Sequence, residues 1–140
     1  MTEQLVTFAL GRREYATPLQ SVREVVRLEG LADLPGMAPP LAGVLDLRGT
    51  SLPVLDLRVG ATKDTRGDVL VLERGQADGD ASVGVAVDRV RAVVLREELP
   101  QAGAGADEGV LPSYVVEVLR GAAGPVFLVD LEQMIDAARV

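Results

Sequence analysis

Short runs of apolar residues rich in Val and Leu alternate with polar or glycine- and proline-containing segments along the chain. Runs of this length, bounded by turn residues, are typical of β-strands. The pattern predicts five strands before residue 60, at 5–10, 15–17, 22–28, 41–47 and 52–57. It predicts five more afterwards, at 69–73, 83–87, 90–95, 114–119 and 126–131. We therefore expect an all-β fold.

The final segment follows a helical period instead. Its apolar residues recur on one helical face, and these are Leu131, Met134, Ile135 and Ala138. Asp130 with Gln133 resembles a capping box. We predict a short C-terminal helix at about 131–139, whose apolar stripe packs on the core rather than on a partner.

The two halves repeat one order of elements: three strands, a long loop with Pro and Gly, and two strands. Residues 22–26 (VREVV) match 90–94 (VRAVV), and the tripeptide LRG at 47–49 recurs at 119–121. Five short strands with tight turns suit a small closed barrel, because closure removes exposed edges. We predict one domain over 1–140, with five-stranded subdomains at about 5–60 and 68–131. They should unfold as one unit, because a core of ~60 residues is marginal alone.

Composition narrows the possible partners. The formal net charge of −7 disfavours a phosphate backbone, so we expect no nucleic-acid binding. No apolar run approaches the ~20 residues that a membrane-spanning helix needs. The first residues also lack the basic and apolar regions of a signal peptide. We expect a cytoplasmic protein without direct membrane insertion.

The chain lacks the commonest general base and the commonest metal ligand in proteins. It contains no Cys and no His, so we expect no metal, no cofactor and no catalysis. Four aspartates follow or end apolar strands, and we interpret them as acceptors for adjacent turns: Asp46, Asp56, Asp88 and Asp130. The segment 78–80 (DGD) is a turn rather than a calcium loop, and 103–109 lacks the ending of a phosphate loop.

Arg48 is the one candidate for binding that the residues themselves offer. It lies between two predicted strands, beside Gly49. A surface arginine that solvates a turn is one interpretation, and the residues alone favour it. An arginine directed at a partner's carboxylate or carbonyl groups is the other, because its guanidinium is a rigid fork of donors.

The chain resembles the CheW family of chemotaxis coupling proteins over almost its whole length. The most specific block is 43–49 (GVLDLRG) followed by 53–57 (PVLDL). Supporting segments are 5–10 (LVTFAL) with 14–15 (EY), 22–26 (VREVV), 34–36 (LPG) and 83–90 (VGVAVDRV). The resemblance implies two SH3-like five-stranded barrels and a non-catalytic adaptor in chemoreceptor arrays. Its implied partners are the chemoreceptor hairpin tip, the regulatory domain of the histidine kinase CheA and other CheW-like proteins.

The resemblance also implies contact residues. The receptor-facing candidates are Val22, Glu24, Gly43 and Arg48, and the kinase-facing candidates are Val6, Leu19, Val22 and Val25. The chain departs from the family at Asp46, where Asn is common, and in the short polar connection 58–68. These departures suggest an alternative, a divergent member that binds receptors but couples weakly or not at all to CheA. A small hydrolase is a third hypothesis, for which no residue set stands out.

Overall fold

Ten strands and one helix make up most of the computed structural model, which describes residues 3–33, 35–36, 40–58, 66–73, 82–102 and 111–138. The strands of the first half are β1 (Gln4–Leu10), β2 (Arg13–Pro18), β3 (Glu24–Arg27), β4 (Leu41–Leu47) and β5 (Thr50–Asp56). Those of the second half are β6 (Asp68–Glu73), β7 (Ser82–Val87), β8 (Arg89–Leu95), β9 (Val115–Gly121) and β10 (Gly124–Val129). Helix α1 (Leu131–Ala138) follows.

All ten predicted strands are present, and most of them have shifted ends. Strand β3 starts later than predicted because Leu19–Ser21 form a 3-10 turn, in which the amide of Val22 donates to the carbonyl of Leu19 at 3.0 Å. Strand β10 ends earlier because Asp130 caps α1, accepting from the amide of Gln133 at 3.2 Å. The predicted turn at 78–80, the glycine-rich stretch 103–109 and most of the 58–68 connection lie outside the described residues.

The strands form two five-stranded sheets of identical plan. Barrel A has the order β8-β1-β2-β10-β9, and barrel B has the order β3-β6-β7-β5-β4. Each barrel contains one parallel pair, β2 with β10 and β5 with β7, and its other pairs are antiparallel. Each strand can be numbered by its place within its own half of the sequence. With this numbering, the strand order across both barrels is third, first, second, fifth, fourth.

The barrels do not follow the halves of the sequence. The first hairpin of the first half, β1 with β2, belongs to barrel A, whose other three strands come from the second half. The first hairpin of the second half, β6 with β7, belongs to barrel B, whose other three strands come from the first half. The predicted subdomains at about 5–60 and 68–131 are therefore wrong as units, although the repeat itself is real. The matched segments 22–26 and 90–94 contribute to equivalent edge strands, because β3 pairs with β6 and β8 pairs with β1.

Three apolar clusters hold the two barrels together. Barrel A encloses Leu5, Ala16, Leu119, Val126 and Leu128, and barrel B encloses Leu28, Leu45, Leu52, Val54, Val69, Val71 and Ala86. The third cluster joins residues of both barrels, including Phe8, Leu70 and Val85, to α1. Leu131, Met134 and Ile135 of α1 are buried in it, so the predicted packing role of the helix is confirmed.

The helix is short, as its sequence predicted. Within the part of the chain that the structure describes, no helix has the length and apolar character to cross a membrane.

Candidate functional site

An ion pair closes the mouth of barrel B between the two edges of its sheet. Glu24 begins edge strand β3, and Arg48 lies in the turn that follows β4, the strand at the opposite edge. The Nη2 atom of Arg48 lies 2.5 Å from Oε2 of Glu24. Strands β3 and β4 follow one another in the sequence but lie at opposite edges of the sheet, so the contact exists only because the sheet curls into a barrel. Two of the predicted receptor-facing residues thus touch.

The hairpin between β4 and β5 holds Arg48 in an unusual backbone conformation. Leu47 pairs with Thr50, which leaves Arg48 and Gly49 as a two-residue turn. Their φ angles are 50° and 86°, the positive values of a type I′ turn, which favours Asn-Gly. Asp46 accepts a hydrogen bond from the amide of Gly49 at 3.0 Å. The turn therefore projects a strained arginine, with 66% of its side chain exposed, over the barrel mouth.

The pair shifts the titration of both partners. The hydrogen bond from Arg48 holds the pKa of Glu24 below its usual value, and the nearby guanidinium charge acts in the same direction. The same bond raises the pKa of Arg48. Opposite charges at hydrogen-bond distance each favour the partner's ionised form. The site therefore presents an ionised pair at neutral pH, with guanidinium N–H groups directed to solvent.

Gly43 is buried in β4, and its role is to permit close approach. A Cβ atom there would lie 2.7 Å from the carbonyl oxygen of Ala32 and 2.7 Å from Cγ of Leu31. Ala32 lies directly beside β4 here, because Ala32 and Val44 form an antiparallel bridge with backbone hydrogen bonds of 2.9 Å. Gly43 thus shapes the barrel wall below the ion pair and offers a partner no side chain.

Val22 lies on the border between the barrels. It lies two residues before β3, and its half-buried side chain packs against the cluster that joins the barrels. The side chain of Arg23 forms a salt bridge of 3.5 Å with Glu73. The four receptor-facing candidates are therefore an exposed pair, a half-buried apolar neighbour and a buried glycine.

The kinase-facing candidates do not share one surface. Val6 is only 1% exposed, because β1 has a neighbouring strand on each side and Val6 packs in the cluster between the barrels. Its side chain is therefore not open to a partner in this structure, and its assignment as a kinase contact stays a prediction. Leu19 and Val22 are half-buried against the same cluster. Val25, on edge strand β3, is 42% exposed and is the member of the set that a partner could cover directly.

The strand-end aspartates act as turn acceptors, as predicted. Asp46 accepts from Gly49, and Asp130 accepts from Gln133. Asp88 accepts from the amide of Gly11 at 2.7 Å, which fixes the β1–β2 turn of the other half. Asp56 accepts from the amide of Arg58 at 2.9 Å. These bonds give all four carboxylates a structural role.

Arg58 has a structural role that the sequence did not reveal. Its guanidinium binds both oxygens of Asp56, with Nε–Oδ1 at 3.0 Å and Nη2–Oδ2 at 2.9 Å, and the two side chains are 7% and 4% exposed. A further N–H donates to the carbonyl of Arg66 at 2.9 Å. The arginine thus fastens the end of β5 to the residue that leads into β6, across the short connection.

The two five-stranded barrels and their exchanged hairpins define an all-β protein built from two SH3-like barrels. The family model of the CheW-like domain matches residues 4–139, so the chain belongs to the CheW-like family. This confirms the resemblance found in the sequence.

Relatives and a solved structure agree with this assignment. "Chemotaxis protein CheW" of Treponema pallidum is 22% identical, over 94% of this chain and 81% of that protein. Its Bacillus subtilis namesake is 29% identical, over 69% of this chain and 62% of its own length. The scaffolding protein TtCheW from Thermoanaerobacter tengcongensis has a similar structure, with a TM-score of 0.69 at 22% identity, over 94% of this chain and 86% of that one. This likeness supports the fold.

Proposed function

We propose that this chain is a non-catalytic, cytoplasmic adaptor of chemotaxis arrays that couples chemoreceptors to the histidine kinase CheA. Its membership of the CheW-like family supports an adaptor role, and relatives carry the name of a chemotaxis protein. The observation that carries the proposal is the Glu24–Arg48 pair at the mouth of barrel B. It unites two of the residues expected to face the receptor.

The pair suits the tip of a helical hairpin. Glu24 occupies one edge of the guanidinium of Arg48, and the remaining N–H donors point towards solvent because the side chain is 66% exposed. A hairpin tip offers carbonyl groups at the end of its first helix, which such donors can bind. Val22 supplies apolar surface beside them. Glu24 orients the arginine, and Arg48 makes the contact.

The receptor experiment compares two exposed arginines of barrel B. Arg48→Ala should weaken binding of a purified receptor hairpin-tip fragment by roughly thirtyfold, as expected for a central interface residue. Its melting temperature should change by less than about 2 °C, because surface substitutions have small effects. Arg27→Ala, on exposed β3, is the matched control and should bind normally. Unchanged binding by Arg48→Ala would remove the pair from the receptor site.

The kinase contact is proposed at the edge of β3. Val25 is apolar and 42% exposed, so Val25→Glu should abolish binding to the purified CheA regulatory domain without unfolding the chain. Val116→Glu is the matched control, because Val116 is also an exposed valine on an edge strand, in barrel A. Equal kinase binding by both variants and the unmodified chain would exclude β3 as the docking edge.

The alternative is a family member that binds receptors without effective kinase coupling. It is favoured by the burial of Val6, an expected kinase contact whose side chain is not open to a partner in this structure. The two functions separate in a reconstituted array with receptor, CheA and this chain. Receptor binding without any rise in CheA autophosphorylation would favour the alternative, whereas loss of that rise in Val25→Glu would support the adaptor.

A further inference from the structure

A second concave surface lies at the mouth of barrel A. Its volume is about 860 Å³, and strands β1, β2, β8, β9 and β10 all contribute to it. Its apolar lining comes from both faces of β10: Val94, Leu99 and Val126 belong to the barrel A cluster, and Val118 and Phe127 belong to the cluster that joins the barrels. We call this surface the barrel A groove. It is separate from the receptor-facing pair, which belongs to barrel B.

The rim of the barrel A groove is basic although the chain as a whole carries −7. Arg12, Arg13 and Arg91 line it, and Glu14 is its one acidic lining residue. Glu14 is already neutralised, because both of its carboxylate oxygens lie within 2.9 Å of Nε of Arg91. By contrast, the groove between the barrels is lined by five acidic and two basic side chains.

Two of these arginines have no acidic partner in the described part of the chain. The guanidinium of Arg13 lies over the ring of Phe127, with Cζ 5.6 Å from the ring centroid. It is thereby held beside the apolar lining by a cation–π contact. Arg12 is exposed in the β1–β2 turn. Their positive charge is available to a ligand that also contacts the apolar lining.

The internal repeat explains why this mouth is open. In barrel B, Glu24 and Arg48 bridge the two edges of the sheet. In barrel A, the sequence repeat matches Glu24 with Ala92, which has no charge. The turn between β9 and β10 consists of Ala122 and Ala123, because Gly121 pairs with Gly124. Small side chains replace the closing pair.

We propose that the barrel A groove binds an acidic peptide segment that carries a central apolar residue. The carboxylates of the segment would lie against Arg12 and Arg13, and the apolar side chain would rest on the apolar lining near Phe127 and Val118. Charge complementarity selects this ligand, since the rim is net positive and the apolar lining is uncharged. This site is additional to the proposed adaptor contacts.

The test uses the full chain and a fluorescein-labelled peptide in which two leucines are flanked on each side by two glutamates. Fluorescence anisotropy should show saturable binding that weakens with salt. Arg12→Gln with Arg13→Gln should weaken it at least tenfold, or about 1.4 kcal/mol. Arg27→Gln with Arg89→Gln removes the same charge from exposed positions outside the groove, and should change affinity less than about twofold.

Two further arms test the site itself. Ala122→Glu places a carboxylate at the open mouth on an exposed turn, and should also weaken binding at least tenfold. A peptide with serines in place of the leucines should bind at least tenfold more weakly. Equal losses in both arginine double variants, equal binding of the serine peptide, or no binding at all would overturn the proposal. Competition between the labelled peptide and the receptor-tip fragment would also overturn it, since the sites should be independent.

Discussion

Arg48 occupies a backbone position that an arginine does not prefer. Its φ of 50° precedes a glycine at 86°, the conformation in which Asn-Gly is the favoured dipeptide. A non-glycine residue in this region carries strain, and strain of this kind concentrates at functional positions. The arginine gains an ion pair with Glu24 and retains exposed donors. The hairpin thus carries an exposed binding group at a position where another residue would fit the turn better.

This argument predicts opposite effects on folding and binding. Arg48→Asn should raise the melting temperature by about 2 °C, because Asn fits the type I′ turn better. It should weaken binding to the receptor-tip fragment at least tenfold, because the guanidinium is lost. Arg48→Lys is the control, which keeps the charge and the strain and should melt as the unmodified chain does. A lower melting temperature for Arg48→Asn would show that the pair, rather than the turn, governs local stability.

The pH response of the pair has a definite sign. The pKa of Glu24 is lowered in the folded chain by the hydrogen bond from Arg48. Its stabilising contribution is therefore complete above the unfolded pKa of about 4.3 and is lost as pH falls through the lower folded value. Carboxyl ¹³C NMR should give Glu24 a midpoint below the usual range, which rises in Arg48→Ala. An identical midpoint in both proteins would contradict the contact.

At the scale of elements, local signals predicted much of the structure. Strand β4 has the predicted bounds, Leu41–Leu47, since a long apolar run ends at a turn dipeptide. The capping pair Asp130 and Gln133 placed the start of α1 correctly. Strand β1 shows a limit of these signals, because the adjacent residues Leu5 and Val6 are both buried. A central strand covered on two faces has no polar alternation to show which side a partner could reach.

The repeated tripeptide LRG shows another limit of local signals. At 47–49 its arginine lies in the hairpin turn, but at 119–121 Arg120 belongs to strand β9 and the turn follows at Ala122. The similarity in sequence therefore did not indicate equal geometry. The partner of Arg48 was equally hidden, because Glu24 approaches it only after the sheet curls. Contacts made by closure depend on tertiary structure rather than on sequence spacing.

The Asp56–Arg58 pair holds the connection between β5 and β6, so one substitution in this pair should have a large effect on stability. Asp56→Asn should lower the free energy of unfolding in urea by about 3 kcal/mol, because it leaves the guanidinium of Arg58 buried beside a neutral amide. Asp46→Asn is the matched control. Its amide oxygen can still accept from Gly49, so its stability should change by less than about 0.5 kcal/mol. Similar losses in both variants would show that the Asp56–Arg58 pair has no special role.

At the scale of the whole molecule, the exchanged hairpins make each half depend on the other. Alone, the first half would keep the pairings β1 with β2 and β4 with β5, but β3 would lose β6 and β5 would lose β7. The second half would likewise keep two hairpins, β6 with β7 and β9 with β10, and β8 would lose β1. Isolated hairpins are at best marginally stable in water. The barrels therefore form together or not at all.

This dependence predicts fragment complementation. Fragments 1–58 and 66–140, expressed separately, should each give the far-UV spectrum of an unfolded chain, and their mixture should recover the β spectrum of the intact protein. The melting temperature of the mixture should rise with concentration, because association is then part of folding. As a control, the intact chain should melt in a single transition that is independent of concentration. If either fragment folded alone into a five-stranded barrel, the halves would be independent subdomains, and the exchange of hairpins would be refuted.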